Sequence, residues 1–420
     1  MIQAFYTGVS GISAHQTAID VTADNLANID TVGFRSYTPE FGALFDEAIS
    51  THNPSSSVNS SVGIGSSINA TALNLQQGPI ALSERSTDLA IEGEGWFGVT
   101  DNQNIYYTRA GDFSFDVDGD LVNSEGMYVL GTLGDNIDFT TNTLTKKLDN
   151  IALGDVAKQQ KIQLPDTLTY QTEPTTNISF SGNIGTEDVP RVISAEAIDA
   201  NGEKNKVQLT FTKAPNQPEI GSLWNIEAVV TSADEKTTYS TTTAQVSFDK
   251  SGALTNTTLT TVDNNGNPVS IDLGEKFSGI TSIATAPTSG SSKSDGAIAG
   301  ELTGYDINAN GEVVAAFSNG EQSSVAQIAL YHFQNDQGLE NLGGILFKES
   351  SNSGKPIFYQ DTEGNNILGS SVMNGALESS NLPIETGLTN LIILQRAYDA
   401  NAKSITTADQ MIQKALQMDA

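Results

Sequence analysis

Apolar side chains recur every seven residues at both extreme ends of this 420-residue chain. Phe5, Ile12, Ile19 and Leu26 form one row near the start, with Ile2, Val9 and Ala23 three positions earlier in each repeat and Gln16 as the interruption. Leu391, Tyr398, Ile405 and Ile412 form a second row near the end, accompanied by Leu388, Ala402 and Leu416. Such spacing lines one face of an α-helix, so it predicts two heptad helices that bracket the chain. Pro383, placed at a first helical position, and Glu385 in the first turn mark where the second helix begins.

These two helices cannot satisfy each other completely. The first contains Gly8 and Gly11, each costing about 1 kcal/mol relative to Ala, so alone it is marginal. Its stability must come from burial, at roughly 1.5–3 kcal/mol for each large side chain taken out of water. In the second, Leu391-Ile392-Ile393-Leu394 sets four apolar residues about 100° apart, which covers most of the circumference. One partner cannot bury all four. With two good helices per chain, the remaining partners must be neighbouring copies, and head-to-tail contacts that do not close into a ring generate a helical polymer. The competing reading folds both helices back as ordinary core helices. Against it stands their position at the termini, which fray unless something holds them.

Between the helices the pattern changes to β. Ile105–Arg109, Asp112–Val117, Lys206–Thr212, Trp224–Val230, Ala244–Phe248 and Val269–Leu273 read as strands. Asp118-Gly119, Asn201-Gly202, Ser251-Gly252 and Asn265-Gly266 punctuate them as turns. A Thr-rich stretch near Thr167–Ser179 and the Pro- and Ser-containing Ala284–Ala297 read as the two crossings into an inserted unit. The predicted fold is therefore mainly β with paired terminal helices, a discontinuous β-domain and an inserted outer β-domain. Its expected parts are 1–30 with 381–420, an extended linker over 31–72, 73–165 with 302–380, and the insertion at 166–301.

Charge excludes several functions. Fifty acidic against 20 basic residues give −30, which repels phosphate backbones and anionic lipid, so nucleic acid is a poor partner. The first 34 and last 40 residues contribute only −3 and −1, leaving −26 between them. No apolar run approaches the ~20 residues needed to span a bilayer, so membrane insertion is not expected. Cysteine is absent, and no Lys or Arg precedes Arg35, so a secretory signal is not expected and export would need another machine.

Catalytic chemistry has no visible seat, and no cofactor is expected. His15, His52 and His332 show no metal-ligand spacing. Asp116-x-Asp118-Gly119-Asp120 brings its Gly too early for a 12-residue calcium loop and reads better as a hairpin turn. Glu92 and Glu94, two apart on a strand, read as a solvent-facing pair and not as the acid and base of a glycosidase.

Several motifs resemble a known family. Ser10-Gly11-Ile12 and Asn25-Leu26-Ala27-Asn28-Ile29-Asp30-Thr31-Val32-Gly33-Phe34-Arg35 are similar to the N-terminal signature of the bacterial flagellar rod and hook family of axial proteins. Gly375-Ala376-Leu377-Glu378-Ser379-Ser380-Asn381, and Gln395-Arg396-Ala397-Tyr398 with Asn401, are similar to its C-terminal signature. Leu89–Phe97 and Tyr107–Phe113 resemble its shared β-domain, and Leu302–Phe333 resembles the hook version's return into that domain. The 166–301 insertion matches only in β character. The resemblance implies a hook subunit that self-assembles into a flexible tube transmitting torque. It implies terminal helices lining the inner tube, and an assembly seam of Phe5, Val9, Ile12, Ile19, Leu26, Leu388, Leu391, Ile392, Leu394, Tyr398, Ile405, Ile412 and Leu416. Implied partners are further copies, the distal rod protein, the hook cap protein, the hook-filament junction protein and the flagellar type III export apparatus, with an extracellular location in the flagellum and no cleaved signal peptide. A distal rod subunit is the nearest alternative. An extracellular β-rich adhesin or polysaccharide-active enzyme is the alternative of another class, which would gain nothing from heptads at both ends.

Overall fold

The structure, a computed structural model, describes residues 2–44, 47–48, 61–62, 65–288 and 290–418. His52 and much of the middle of the 31–72 segment lie outside the described residues. The architecture is mainly β with a helix at each terminus, α1 (Ile2–Ala27) and α2 (Ile384–Met418). Pro383 precedes α2 instead of opening it: its carbonyl accepts the N–H of Gly387 at 3.0 Å.

Among the described residues two large hydrophobic cores occupy the middle of the chain, with two smaller clusters around Tyr107 and Phe34. The first belongs to a large sheet in which strands from both halves of the sequence interleave. Gly300–Ile307, Glu312–Phe317 and Gln322–Ile328 form an antiparallel meander whose last strand pairs with Tyr128–Leu133. That strand pairs with Trp96–Thr100, which in turn pairs with Ile105–Thr108 and with Leu330–Tyr331. Phe97, Val99, Phe113, Val129, Val313 and Val325 fill this core, and none is solvent-exposed.

The second core is a sandwich. Arg191–Ile198, Lys204–Lys213, Ser222–Ser232, Thr238–Phe248 and Leu254–Thr257 run as a five-stranded antiparallel meander. Alternation sends Val207, Leu209 and Phe211, and Trp224, Ile226, Ala228 and Val230, to one side. There they meet Ile178, Phe180, Val262, Val269 and Ile271 of a second sheet. The chain enters and leaves this unit at one place, where Glu173 and Ala297 exchange backbone hydrogen bonds of 2.8 and 2.9 Å. The stretches read as crossings are shorter than expected, because Asn177–Asn183 and Ser291–Ser294 are already paired strands of the sandwich.

One turn recurs. Asp116, Asn123, Asp199, Asp249, Asn308 and Asp361 each accept, on side-chain Oδ1, the N–H groups two and four residues later. The residue three later is always a glycine at positive φ: Gly119, Gly126, Gly202, Gly252, Gly311 and Gly364. Asp116 thus spends its carboxylate on a turn.

The described ends of the 31–72 segment are paired with each other, which a linker running straight through would not allow. Tyr37–Ala43 pairs antiparallel with Ser66–Leu73, so it doubles back as a two-stranded arm, with a bulge between Glu40 and Phe41. The reason is visible in the residues: Tyr37, Thr38 and Phe41 and, opposite, Ile68 and Thr71 favour strands. The arm lies against α1, where the Phe41 ring sits 5.3 Å from that of His15.

Candidate assembly surface

The helices pack on each other through small residues. On α1 the wholly buried positions are Gly8, Gly11, Ala14, Ala18, Thr22 and Asn25. A Cβ at Gly8 would lie 2.7 Å from Ile405 Cγ1, and one at Gly11 would lie 2.7 Å from Asn401 Oδ1. Only hydrogen side chains allow the backbones this close, which explains two glycines that helix propensity alone would reject. Asn25 serves the arm instead: its Nδ2 donates to the Tyr37 carbonyl at 2.7 Å, and its Oδ1 accepts the Tyr37 N–H at 2.8 Å.

The face that α1 buries on α2 is thus not the row of large apolar residues read from the sequence as an assembly seam. The rows Phe5, Ile12, Ile19, Leu26 and Val9, Ala23 have the right period but lie one residue, or about 100°, away from the face that is buried. Gly11, Ala18 and Asn25 immediately precede Ile12, Ile19 and Leu26. Close contact through glycine and alanine leaves no room for large side chains, so they flank the interface. Ile12, Ile19 and Leu26 are half-buried, and Phe5 and Val9 are exposed.

On α2 the row Leu391, Tyr398, Ile405 and Ile412 is half-buried on the face towards α1. Its companions are Gly387, Leu394, Asn401, Ala402 and Ala408, but not Leu388 and Leu416. Leu388 and Leu416 point away and are exposed. Ile392 and Ile393 remain 57% and 58% exposed, so the four-residue apolar run is half uncovered within one chain. Tyr6, Ile384 and Met411 add to this surface.

The motif residues divide by location. Gly33, at φ +69°, turns the chain where an added Cβ would lie 2.3 Å from the backbone nitrogen of Ala110, and Phe34 is buried against Ala110 and Ile345. Asn28 Nδ2 donates to the carbonyl of Asp24 at 3.0 Å, and Asn401 Nδ2 to that of Ala397 at 3.0 Å. Ala397 is half-buried on α2, whereas Gln395 and Arg396 are exposed. The small-residue stripe escaped a reading tuned to large apolar side chains. Its signal was present as small residues at the same period, one position earlier.

Comparison with known proteins accounts for this geometry. Residues 5–35 match the family described as "Flagella basal body rod protein", and 90–185 match "Flagellar hook protein FlgE/F/G D1 domain". Residues 191–299 match "Flagellar basal body protein FlaE D2 domain", and 373–418 match "Flagellar basal body rod FlgEFG protein C-terminal". The flagellar hook protein FlgE of Brucella suis is 30% identical, over 97% of this chain and 96% of its own length. FlgE of Borreliella burgdorferi is 28% identical over the whole of both chains, and FlgE of Escherichia coli 27% identical over 97% of this chain and 98% of its own. Among solved structures, Helicobacter pylori flagellar hook protein FlgE2 shares the fold, with a TM-score of 0.55 at 19% identity, over 71% of this chain and 100% of that one. Two terminal helices with an uncovered apolar face, two β-cores and end-to-end similarity to FlgE agree, and the chain belongs to the flagellar hook protein FlgE family.

Proposed function

We infer that this chain is the structural subunit of the flagellar hook, that it polymerises through its terminal helices into a bendable tube, and that it performs no catalysis. Membership in the family places it in the bacterial flagellum as part of a polymeric assembly. The supporting observation is the apolar surface that α1 and α2 leave uncovered after packing on each other: Phe5, Tyr6, Val9, Leu388, Ile392 and Ile393. No helix among the described residues is long and apolar enough to cross a membrane. In this reading sister subunits cover that surface.

In this reading, 1–30 and 381–420 hold the tube at small radius. The arm within 31–72 braces them, 73–165 with 302–380 form a middle shell, and 166–301 face outwards. The subunit travels through the flagellar type III export apparatus to the cell exterior. It meets the distal rod protein at one end of the polymer, and the hook cap and hook-filament junction proteins at the other. Ile392→Glu combined with Ile393→Glu tests the seam. Electron microscopy of the concentrated variant should find no tubes where the unaltered chain forms curved ones, while its thermal unfolding stays close to that of the unaltered chain. Tubes of normal number and shape would remove these residues from the interface.

A further inference from the structure

Four stretches of chain meet where the helices join the large β-core: the outgoing segment 31–36, the arm's return at 74–79, the turn after Ile105–Thr108, and the returning segment 376–381. At their centre lies Glu378, whose side chain is 1% exposed. Its Oε1 stands 3.1 Å from Arg35 Nη2 and accepts the N–H of Gly78 at 2.8 Å. Its Oε2 stands 3.4 Å from Arg109 Nε, and its backbone carbonyl accepts the N–H of Gly33 at 2.7 Å. The Arg35 and Arg109 side chains are 2% and 3% exposed. Each reaches one segment further: Arg35 Nη1 donates to the carbonyl of Gln76, and Arg109 Nη2 to that of Gly93 at 2.6 Å. Among the described residues no other ion pair has both partners so deeply buried.

Burial pushes both guanidinium groups down, Arg109 to about 10, while the charge of Glu378 pulls them back, so both remain charged at neutral pH. A buried group of two cations and one anion is a poor device for raw stability, since apolar residues of similar volume often do as well. Its contribution is geometric. Oε1 takes the Gly78 hydrogen bond and Oε2 has no hydrogen-bond partner, so the carboxylate holds the two guanidinium groups by charge, at 3.1 and 3.4 Å, and ties Arg35, Arg109 and the 74–79 segment to one point. Without the carboxylate, two like charges face each other unbalanced in a dry interior.

We propose that Glu378 is a positioning residue: by holding Arg35 of the outgoing segment and Arg109 of the β-core on its two oxygens, it fixes the direction in which both chain ends leave that core. The consequence for a tube rests on the function proposed above. The fixed exit is a property of the single chain and is tested there.

The chain has no cysteine, so Asp20→Cys on α1 and Glu84→Cys beside the β-core, both exposed, can carry spin labels on the full-length monomer without competing thiols. Pulsed electron paramagnetic resonance should give one narrow distance. Adding Glu378→Gln should broaden or split it while the thermal transition of the β-core persists, and adding Glu301→Gln, which removes an exposed carboxylate elsewhere, should leave it narrow. A narrow distance in Glu378→Gln overturns the proposal, even if the variant melts earlier. If that variant does not fold, Arg35→Gln removes one of the two charges that Glu378 holds, and is read the same way: broadening supports the clamp, an unchanged width rejects it. An unchanged width rejects the clamp whether or not the unaltered chain polymerises, whereas failure of the unaltered chain to polymerise rejects the hook reading and leaves the clamp to the distance measurement.

Discussion

Asp199 shows how much of this fold rests on single polar side chains. It is wholly buried and accepts the N–H groups of Asn201 and Glu203, both at 2.9 Å, and the Asn265 side chain at 2.8 Å. Burial alone would raise its carboxyl, but those hydrogen bonds together outweigh it and hold the group below the usual carboxylate range. A carboxyl depressed in the folded state contributes stability that is complete above its unfolded value of about 3.9 and is lost as pH falls through the folded value. The sandwich should therefore become less stable below about pH 4. Asp199→Asn should lower the melting temperature at neutral pH and flatten that acid limb, as calorimetry between neutral and acid pH would record; an equally steep limb would mean other carboxylates dominate. The turn was half legible in the sequence. Asn201-Gly202 announces a tight reversal, but the two amides that the residue three before the glycine would bind were visible only once six turns shared the pattern.

At the level of elements, the existence and period of both helices were readable, and the buried face of α1 was not. Large apolar residues dominate any periodicity count, so the pattern pointed to Ile12, Ile19 and Leu26, whereas close approach selected Gly11, Ala18 and Asn25. The strands were easier. Val207, Leu209, Phe211 and the Trp224–Val230 run alternate without ambiguity, and their observed spans extend the read ones by a few residues. The arm was missed because its two strands are separated by a long stretch without hairpin signals. The one-residue displacement on α1 separates two roles for adjacent positions. Gly11→Leu forces four carbons into the contact with Asn401, and overpacking of this kind costs typically 1–3 kcal/mol. It should part the helices and reduce helical circular dichroism in the monomer, leaving the β-core's transition in place. Ile12→Ser should leave monomer helicity nearly unchanged and impair polymerisation. The reverse outcome would make Ile12, and not Gly11, the contact between α1 and α2 within one chain.

For the whole molecule, the distribution of charge bears on how a tube could bend. Of the −26 carried between the terminal regions, residues 175–296 hold 14 acidic and eight basic side chains, a net of only −6. On the proposed arrangement, repulsion between sandwich units would then contribute less to yielding outer contacts than their hydrated Ser, Thr and Asn surface, whose contacts are individually weak. The sandwich also hangs from a single crossing, where Glu173 and Ala297 are already paired, so its removal need not disturb the strands Thr169–Tyr170 and Gly300–Ile307 that pair beside it. Joining Pro174 to Ala297 through a short Gly-Ser linker should leave the large β-core, the arm and both helices folded. It should leave polymerisation intact too, because the uncovered face of α1 and α2 is untouched. On the proposed arrangement, sandwich units that meet on the inside of a bend would limit how far it can close. Tubes built from the shortened chain should therefore show a broader distribution of curvature in electron micrographs than those of the full chain. An unchanged distribution would shift the control of bending inwards, to the arm and to the clamp around Glu378.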